Sequence, residues 1–310
     1  MNWIVVALLL IIAVNVLAFL ILSFVLYAVL LIRGNSKKWG HEVSLPDDPE
    51  YVAMYKDGLA WGEKYLEFRK DLSTENDEYK LFAHYFDFGF DRAVIIIPGR
   101  MECCKYSYYF AEPYRASGYN VLTIDARAHG YSEGKISALG QKEYSDVLAW
   151  GKLLHDSLGI KAVVLHGVCI GASTAIFAMT AKNCPDYMRA MVADGMYVTF
   201  AESFKNHMYE KNRPIFPFYY LVMLYIRLFS GVKAVKDGPL YRIDKLKKPI
   251  LFIHSRKDIY SLPERAEELF EKCGSDKKEI EWFDKGGHSR IRFTNTEKYD
   301  TVVSRFISDF

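Results

Sequence analysis

Apolar positions fall along this chain in three regimes. From Trp3 to Ile32 every position is apolar except Asn15 and Ser23. About 20 such residues cross a hydrocarbon core, so the run predicts one transmembrane helix that tilts or extends beyond the bilayer. A cleaved signal peptide is the competing reading, and three features oppose it: no basic n-region, a run too long for an h-region, and no small-x-small cleavage site. Residues 51–70 then space apolar and charged positions as an amphipathic helix does, after a polar stretch ending in LPDDPE. Beyond them, short apolar runs alternate with longer helical patterns: AVIIIPG from 93, NVLTID from 120, KAVVLHG from 161, YMRAMVAD from 187, PILFIHS from 249 and EIEWFD from 279.

Strands joined by crossover helices make a mainly parallel sheet with helices on both faces, an α/β fold. Between Gly195 and Lys248 the alternation breaks, and the aromatic-rich stretch PIFPFYYLVMLYIRLF from 214 predicts a helical cap over the sheet's C-terminal edge. The expected organisation is a transmembrane anchor at 1–33, a juxtamembrane segment at 34–74, and an α/β domain at 75–310 carrying the cap at about 195–248. The cap is expected to pack on the sheet, as apolar residues usually do. Its stretch is nevertheless apolar on more than one face, which suits membrane contact.

Composition narrows the partners. The chain has 310 residues and a formal net charge of +2, with 40 Lys+Arg against 38 Asp+Glu, and this balance gives no reason to expect a nucleic acid partner. Five cysteines, at 103, 104, 169, 184 and 273, form an odd set without zinc-finger spacing, and a disulfide framework is not expected in so long a chain. Reduced thiols fit a cytoplasmic domain. Arg33, Lys37 and Lys38 follow the apolar run and no cation precedes it, which also places the C-terminal side in the cytoplasm.

The chemistry is concentrated in Gly167-Val168-Cys169-Ile170-Gly171, which follows the β-run AVVLH and opens the helical stretch ASTAIFAMTAK. A sharp strand-to-helix turn needs small residues at both flanks to close. It lifts the central side chain above the sheet at a helix N-terminus, where the dipole favours a thiolate. This is the pattern of a nucleophile elbow centred on Cys169; the competing reading is a buried cysteine in a glycine-rich turn. The literal G-x-S-x-G at Gly130–Gly134 has no strand leading into it, which argues against Ser132 as nucleophile.

Asp258 follows the run PILFIHS and His288 follows EIEWFD, so nucleophile, acid and histidine come in the order Cys, Asp, His, each just past a strand end. His288 would take the thiol proton, and Asp258 would orient and charge-stabilise the imidazole. Taken singly, Asp258 reads better as a helix N-cap and His288 better as a solvated turn residue; together with the elbow they do not. The loop Pro98-Gly99-Arg100 after AVIII would supply one oxyanion N–H from Arg100, and Ile170 would supply the second. The Arg100 side chain is expected in solvent, with thiolate stabilisation or an acidic substrate as alternatives. Cys103 and Cys104 read as loop or packing residues, because neighbouring cysteines bridge only with strain.

These residues resemble the serine aminopeptidase S33-like and related α/β-hydrolase families, including small bacterial membrane-tethered hydrolases. The resemblance covers roughly 75–310 and rests on IDARAHGYSEG at 124, EYSDVLAW at 143, the elbow, ADG at 193, ILFIHSRKDIYSLP at 250 and GGHS at 286. It implies hydrolysis of an ester, thioester or amide through a covalent acyl-enzyme, without cofactor or metal. The sequence departs from the family pattern at Pro98, where a histidine is usual, at Ala128, where a glycine is usual, and at Cys169, where serine is usual. Dienelactone hydrolases and bile acid-CoA amino acid acyltransferases also carry a cysteine nucleophile, and the likeness to them is confined to the elbow. Acyl transfer to an amine by the same triad, and a catalytically inactive membrane-tethered scaffold, are the alternative functions.

Overall fold

The computed structural model describes residues 3–34, 39–41, 43–45 and 47–310; Lys37 and Lys38, used above for orientation, lie outside the described residues. Helix α1 (Trp3–Leu31) is followed by α2 (Pro49–Lys64) and the strands β1 (Arg69–Asn76), β2 (Tyr79–Phe86) and β3 (Arg92–Ile97). Then come α3 (Glu112–Ala116), β4 (Asn120–Ile124), α4 (Tyr144–Leu158), β5 (Ala162–Val168), α5 (Ile170–Met179) and β6 (Met188–Asp194). Helices α6 (Phe200–Glu210) and α7 (Phe218–Tyr225) intervene before β7 (Ile250–Ser255), α8 (Pro263–Lys272), β8 (Lys278–Phe283), α9 (Ile291–Thr294) and α10 (Thr296–Ile307).

The eight strands form one sheet in the order β1-β2-β4-β3-β5-β6-β7-β8, antiparallel from β1 to β4 and parallel from there to β8. The continuous apolar runs are explained by two cores. In β3, Ala93, Ile95 and Ile97 face one and Val94 and Ile96 the other; in β7, Ile250 and Phe252 oppose Leu251 and Ile253. Residues of α4, α5 and α8 fill the first core, and residues of α2 and α10 the second. A strand covered on both faces needs apolar residues at every position, which is why β3 to β7 were legible; β8, at the sheet's far edge, is only half-buried over most of its length.

The hairpin β1–β2 was not. Its β1, RKDLSTEN, is an edge strand whose outward positions are polar, so neither an apolar run nor a clean alternation marks it. The amphipathic helix expected at 51–70 begins earlier and ends earlier, at Pro49–Lys64. Asp48 caps it by accepting from the N–H groups of Glu50 and Tyr51 at 3.0 and 3.3 Å, with proline at the first helical position. The chain then turns at Leu66–Phe68 into β1, which starts inside the stretch assigned to the juxtamembrane segment. Gly58 and Gly62, four apart, let α2 lie on the turn Cys104–Phe110: a Cβ at Gly62 would sit 2.5 Å from the Tyr108 ring.

Helix α1 is continuous over 29 residues, and its most apolar stretch is entirely exposed. Its buried residues, Ser23, Tyr27 and Leu31, all lie in the last third. There it runs beside and parallel to α7, which continues as a π-helical turn Ile226–Ser230. Phe19 meets Phe218, Phe24 meets Tyr225, and Tyr27 meets Phe229, with ring centroids 5.6, 5.6 and 5.8 Å apart. Past the helix, Ile32 pairs with Ile136, and the Arg33 N–H donates to the Lys135 carbonyl at 2.8 Å.

Candidate active site

The turn from β5 into α5 fixes Cys169 in a conformation that non-glycine residues rarely adopt, φ 54° and ψ −111°. Such a backbone costs on the order of 1–3 kcal/mol and persists only where its surroundings impose it. Two glycines do so here. A Cβ at Gly167 would lie 2.3 Å from the Ala172 nitrogen, and one at Gly171 would lie 2.2 Å from the Ile97 carbonyl oxygen. The Cys169 N–H donates to the Asp194 carbonyl at 2.8 Å, tying the turn to the end of β6. The thiol is half-buried between the sheet core and the cap cluster.

Asp258 and His288, 30 residues apart in sequence, meet at the ends of β7 and β8, with imidazole Nδ1 2.7 Å from Asp258 Oδ2. The other carboxylate oxygen accepts from the N–H groups of Tyr260 and Ser261 at 2.9 and 2.8 Å. Burial works against the Asp258 charge, but His288 and these donors outweigh it and hold the carboxyl below its usual range. Burial likewise works against the imidazolium, and is outweighed first by Asp258 and then by Cys169, so His288 is held well above its ordinary value of 6.5. Cys169 is a hydrogen-bond partner of the ring. With Nδ1 donating to Asp258, Nε2 is the nitrogen left for sulfur. Gly195, at φ +61°, keeps the space beside this pair open, since a Cβ there would lie 3.4 Å from His288 and 3.7 Å from Asp258 Oδ2.

The loop after β3 is locked against the elbow. Half-buried Glu102 accepts from the Gly99 N–H and the Tyr55 hydroxyl, both at 2.9 Å, and the Met101 N–H donates to His129 Nε2 at 3.1 Å. That leaves the N–H groups of Arg100 and Ile170 without an acceptor among the described residues, Ile170 being the first residue of α5. The close approach of Gly171 to the Ile97 and Pro98 carbonyls brings the two donors' segments together. The Arg100 side chain is half-buried, not solvated as the sequence suggested. It turns inward, to the Leu30 carbonyl at 3.4 Å and the Met101 sulfur at 3.6 Å, because the end of α1 covers the loop.

Ser132 is fully buried, its hydroxyl donating to the Asp125 carbonyl at 2.7 Å and accepting from the Phe82 N–H at 2.9 Å, so it is a structural tie. Cys103 and Cys104 are buried free thiols; burial pushes Cys103 up to about 12, and the Cys104 sulfur sits 3.2 Å from His84 Nδ1. Ala128, at the position where the family pattern has glycine, carries φ +66°.

Several residues beside the dyad were not singled out in sequence. The Tyr51 hydroxyl of α2 donates to the His288 carbonyl at 3.1 Å, across 237 positions. Tyr260 packs edge-on to His288 and stacks on His207 of α6 at 3.7 Å, and burial lowers His207 to about 4. Asp194 is the second acid at a strand end, but its Oδ2 accepts from Tyr299 at 2.7 Å instead of engaging His288, and burial raises it to about 7. Among the described residues, no group of three or more His, Cys, Asp or Glu side chains is placed to hold a metal ion.

The family pattern of the alpha/beta hydrolase fold matches residues 92–220. The uncharacterized protein YqkD of Bacillus subtilis (strain 168) is 30% identical over 211 residues, which is 67% of either chain. Among solved structures, the Pyrococcus furiosus esterase Pf2001 is 28% identical and superposes with a TM-score of 0.67, over 80% of this chain and 93% of that one. The α/β hydrolase GrgF from Penicillium sp. sh18 is only 17% identical and shares the fold, with a TM-score of 0.61 over 78% and 98% of the two chains. By its match to the family pattern, its likeness to the Bacillus relative and the fold it shares with the esterase, this chain belongs to the α/β-hydrolase family and is a hydrolase.

Proposed function

We propose that the protein cleaves an ester, thioester or amide through a covalent acyl-cysteine, with Cys169 as nucleophile, His288 as the proton carrier and Asp258 as its orienting carboxylate. The observation that carries this reading is the 2.7 Å His288–Asp258 contact beside a half-buried cysteine at a strained strand-to-helix turn. Sulfur attacks the acyl carbonyl carbon while its proton passes to His288 Nε2, and a C–S bond forms. The oxyanion is received by the N–H groups of Arg100 and Ile170, which have no other acceptor among the described residues. As the carbonyl re-forms, the bond to the leaving group breaks, and that group takes the proton from Nε2. Water, losing a proton to His288 Nε2, then attacks the thioester; as the C–S bond breaks that proton passes to sulfur, releasing the acid and the free thiol. No step requires a cofactor.

The esterase among the structural relatives favours an ester as the bond cleaved. The segments at 124, 193, 250 and 286 support a reading of the chain as S33-like within the family. Helix α1, long and apolar enough to cross a membrane, supports a single-pass anchor at 1–33, a juxtamembrane segment at 34–74 and a hydrolase domain at 75–310 capped at about 195–248. Arg33 at the helix end and the free cysteines support a cytoplasmic domain. Protease added to intact cells should leave the domain uncut; its digestion without lysis would refute that orientation. Labelling of the intact protein by electrophilic acyl probes should occur in the native chain and vanish in Cys169→Ala. Equal labelling of both would remove the proposed nucleophile.

A further inference from the structure

Helix α1 has more length than a bilayer requires. Its 29 residues span about 43 Å at 1.5 Å each, whereas about 20 residues cross a hydrocarbon core of roughly 30 Å. The surplus coincides with the docked part: burial begins at Ser23 and recurs at Tyr27 and Leu31, one helix face. Residues 3–22 are then the free span, and the cap descends past its near end. Phe218 at the start of α7 lies level with Phe19, and the Tyr225 hydroxyl donates to the Leu20 carbonyl at 3.1 Å. Phe19 is three residues inside the span so defined, so the tip of the cap reaches about 5 Å past the boundary.

The outer face of this tip is apolar. Phe216, Tyr220, Leu224 and Leu228 recur every four residues and are 78, 60, 48 and 63% exposed. No charged residue lies between Arg213 and Arg227. An exposed stripe of this size calls for an occupant, and its continuity with α1 says which one. The two helices run side by side through an aromatic seam, so the medium that covers the exposed face of α1 also reaches the stripe. The site lies directly behind: Tyr27 and Leu31 of α1, Val222 and Ile226 of the cap helix, and Ile170 of the elbow belong to one apolar cluster against which Cys169 packs.

We propose that the cap helix Phe218–Ser230 enters the lipid leaflet beside the C-terminal half of α1, so that the apolar wall over Cys169 is continuous with hydrocarbon. This rests on the reading of α1 as a membrane span, and the test separates the two. The full-length protein, in a Cys169→Ala, Cys184→Ala background, is placed in phosphatidylcholine nanodiscs. Single nitroxides are attached at Ile12→Cys on α1, at Tyr220→Cys on the cap stripe, and at Leu158→Cys, an exposed residue at the end of α4, as the aqueous control. Power saturation compares collision with oxygen, which partitions into lipid, against a water-soluble nickel chelate.

Oxygen should dominate at positions 12 and 220 and nickel at 158, so that the logarithm of the oxygen-to-nickel ratio changes sign between the cap and the control. Oxygen dominance at 12 with nickel dominance at 220 would overturn the insertion of the cap while leaving the anchor intact. Nickel dominance at 12 would overturn the anchor and the insertion with it.

Discussion

Asp258→Asn isolates the electrostatic part of the site while barely changing its shape. The asparagine keeps one oxygen for the Tyr260 and Ser261 N–H groups, at 2.9 and 2.8 Å in the parent. It replaces the oxygen facing His288 Nδ1, at 2.7 Å, with an NH₂ group. Two donors then face each other, and the least costly adjustment moves the imidazole proton to Nε2, the nitrogen that receives the thiol proton in the proposed mechanism. Turnover should fall by about 10⁴-fold, the scale of the same substitution in serine triads. In the parent, His288 is held above 6.5 against burial; without the carboxylate, burial drives it below. A folded value raised above the unfolded one adds stability that is complete below about pH 6.5 and lost as pH rises through the folded value. The depressed Asp258 adds stability that is complete above about pH 4 and lost as pH falls through its folded value. The parent should therefore exceed the variant most between about pH 4 and 6.5, by roughly 1.5–3 kcal/mol for the lost hydrogen bond between charged groups, with the gap narrowing at alkaline pH. Imidazole ¹⁵N NMR reads the tautomer and the titration, thermal unfolding against pH reads the stability, and hydrolysis of an activated ester reads the rate. Unchanged turnover with an unchanged His288 titration would refute the coupling of the two residues.

Gly171→Ala should lower kcat by about 10²-fold with a folded protein, since a Cβ 2.2 Å from the Ile97 oxygen must push the elbow and the oxyanion loop about 1 Å apart; activity within twofold of the parent would dissociate that contact from catalysis. Polar substitutions at Tyr219, Tyr220 and Tyr225 should lower turnover of long-chain esters more than of short-chain ones, measured side by side in detergent-free vesicles, whereas equal rates would remove the cap from substrate selection.

Much of this site was written in local sequence. The elbow could be read because Gly167 and Gly171 are demanded by backbone approaches within a few residues of Cys169. Asp258 and His288 could be placed because each follows an apolar run that had to be a strand. What escaped was set by distant packing. Tyr51 reaches His288 across 237 positions, and no local pattern encodes that reach. Arg100 looked like an ordinary loop cation because nothing near it in sequence announces that the end of α1 would lie over it. The hairpin β1–β2 escaped for a different reason: an edge strand with polar outward positions carries too little apolar signal. The helix at 51–70 was overextended because Tyr65, Leu66 and Phe68 prolong its apolar spacing after the backbone has already turned toward β1.

Intact-mass and peptide mass spectrometry after brief incubation with an activated acyl ester tests the central claim most directly. One acyl group per chain is predicted, on the peptide carrying Cys169, released by hydroxylamine and accumulating further in His288→Ala only where acylation still proceeds. An acyl group on Ser132, or an acylated and fully active Cys169→Ala protein, would contradict the nucleophile and the mechanism built on it.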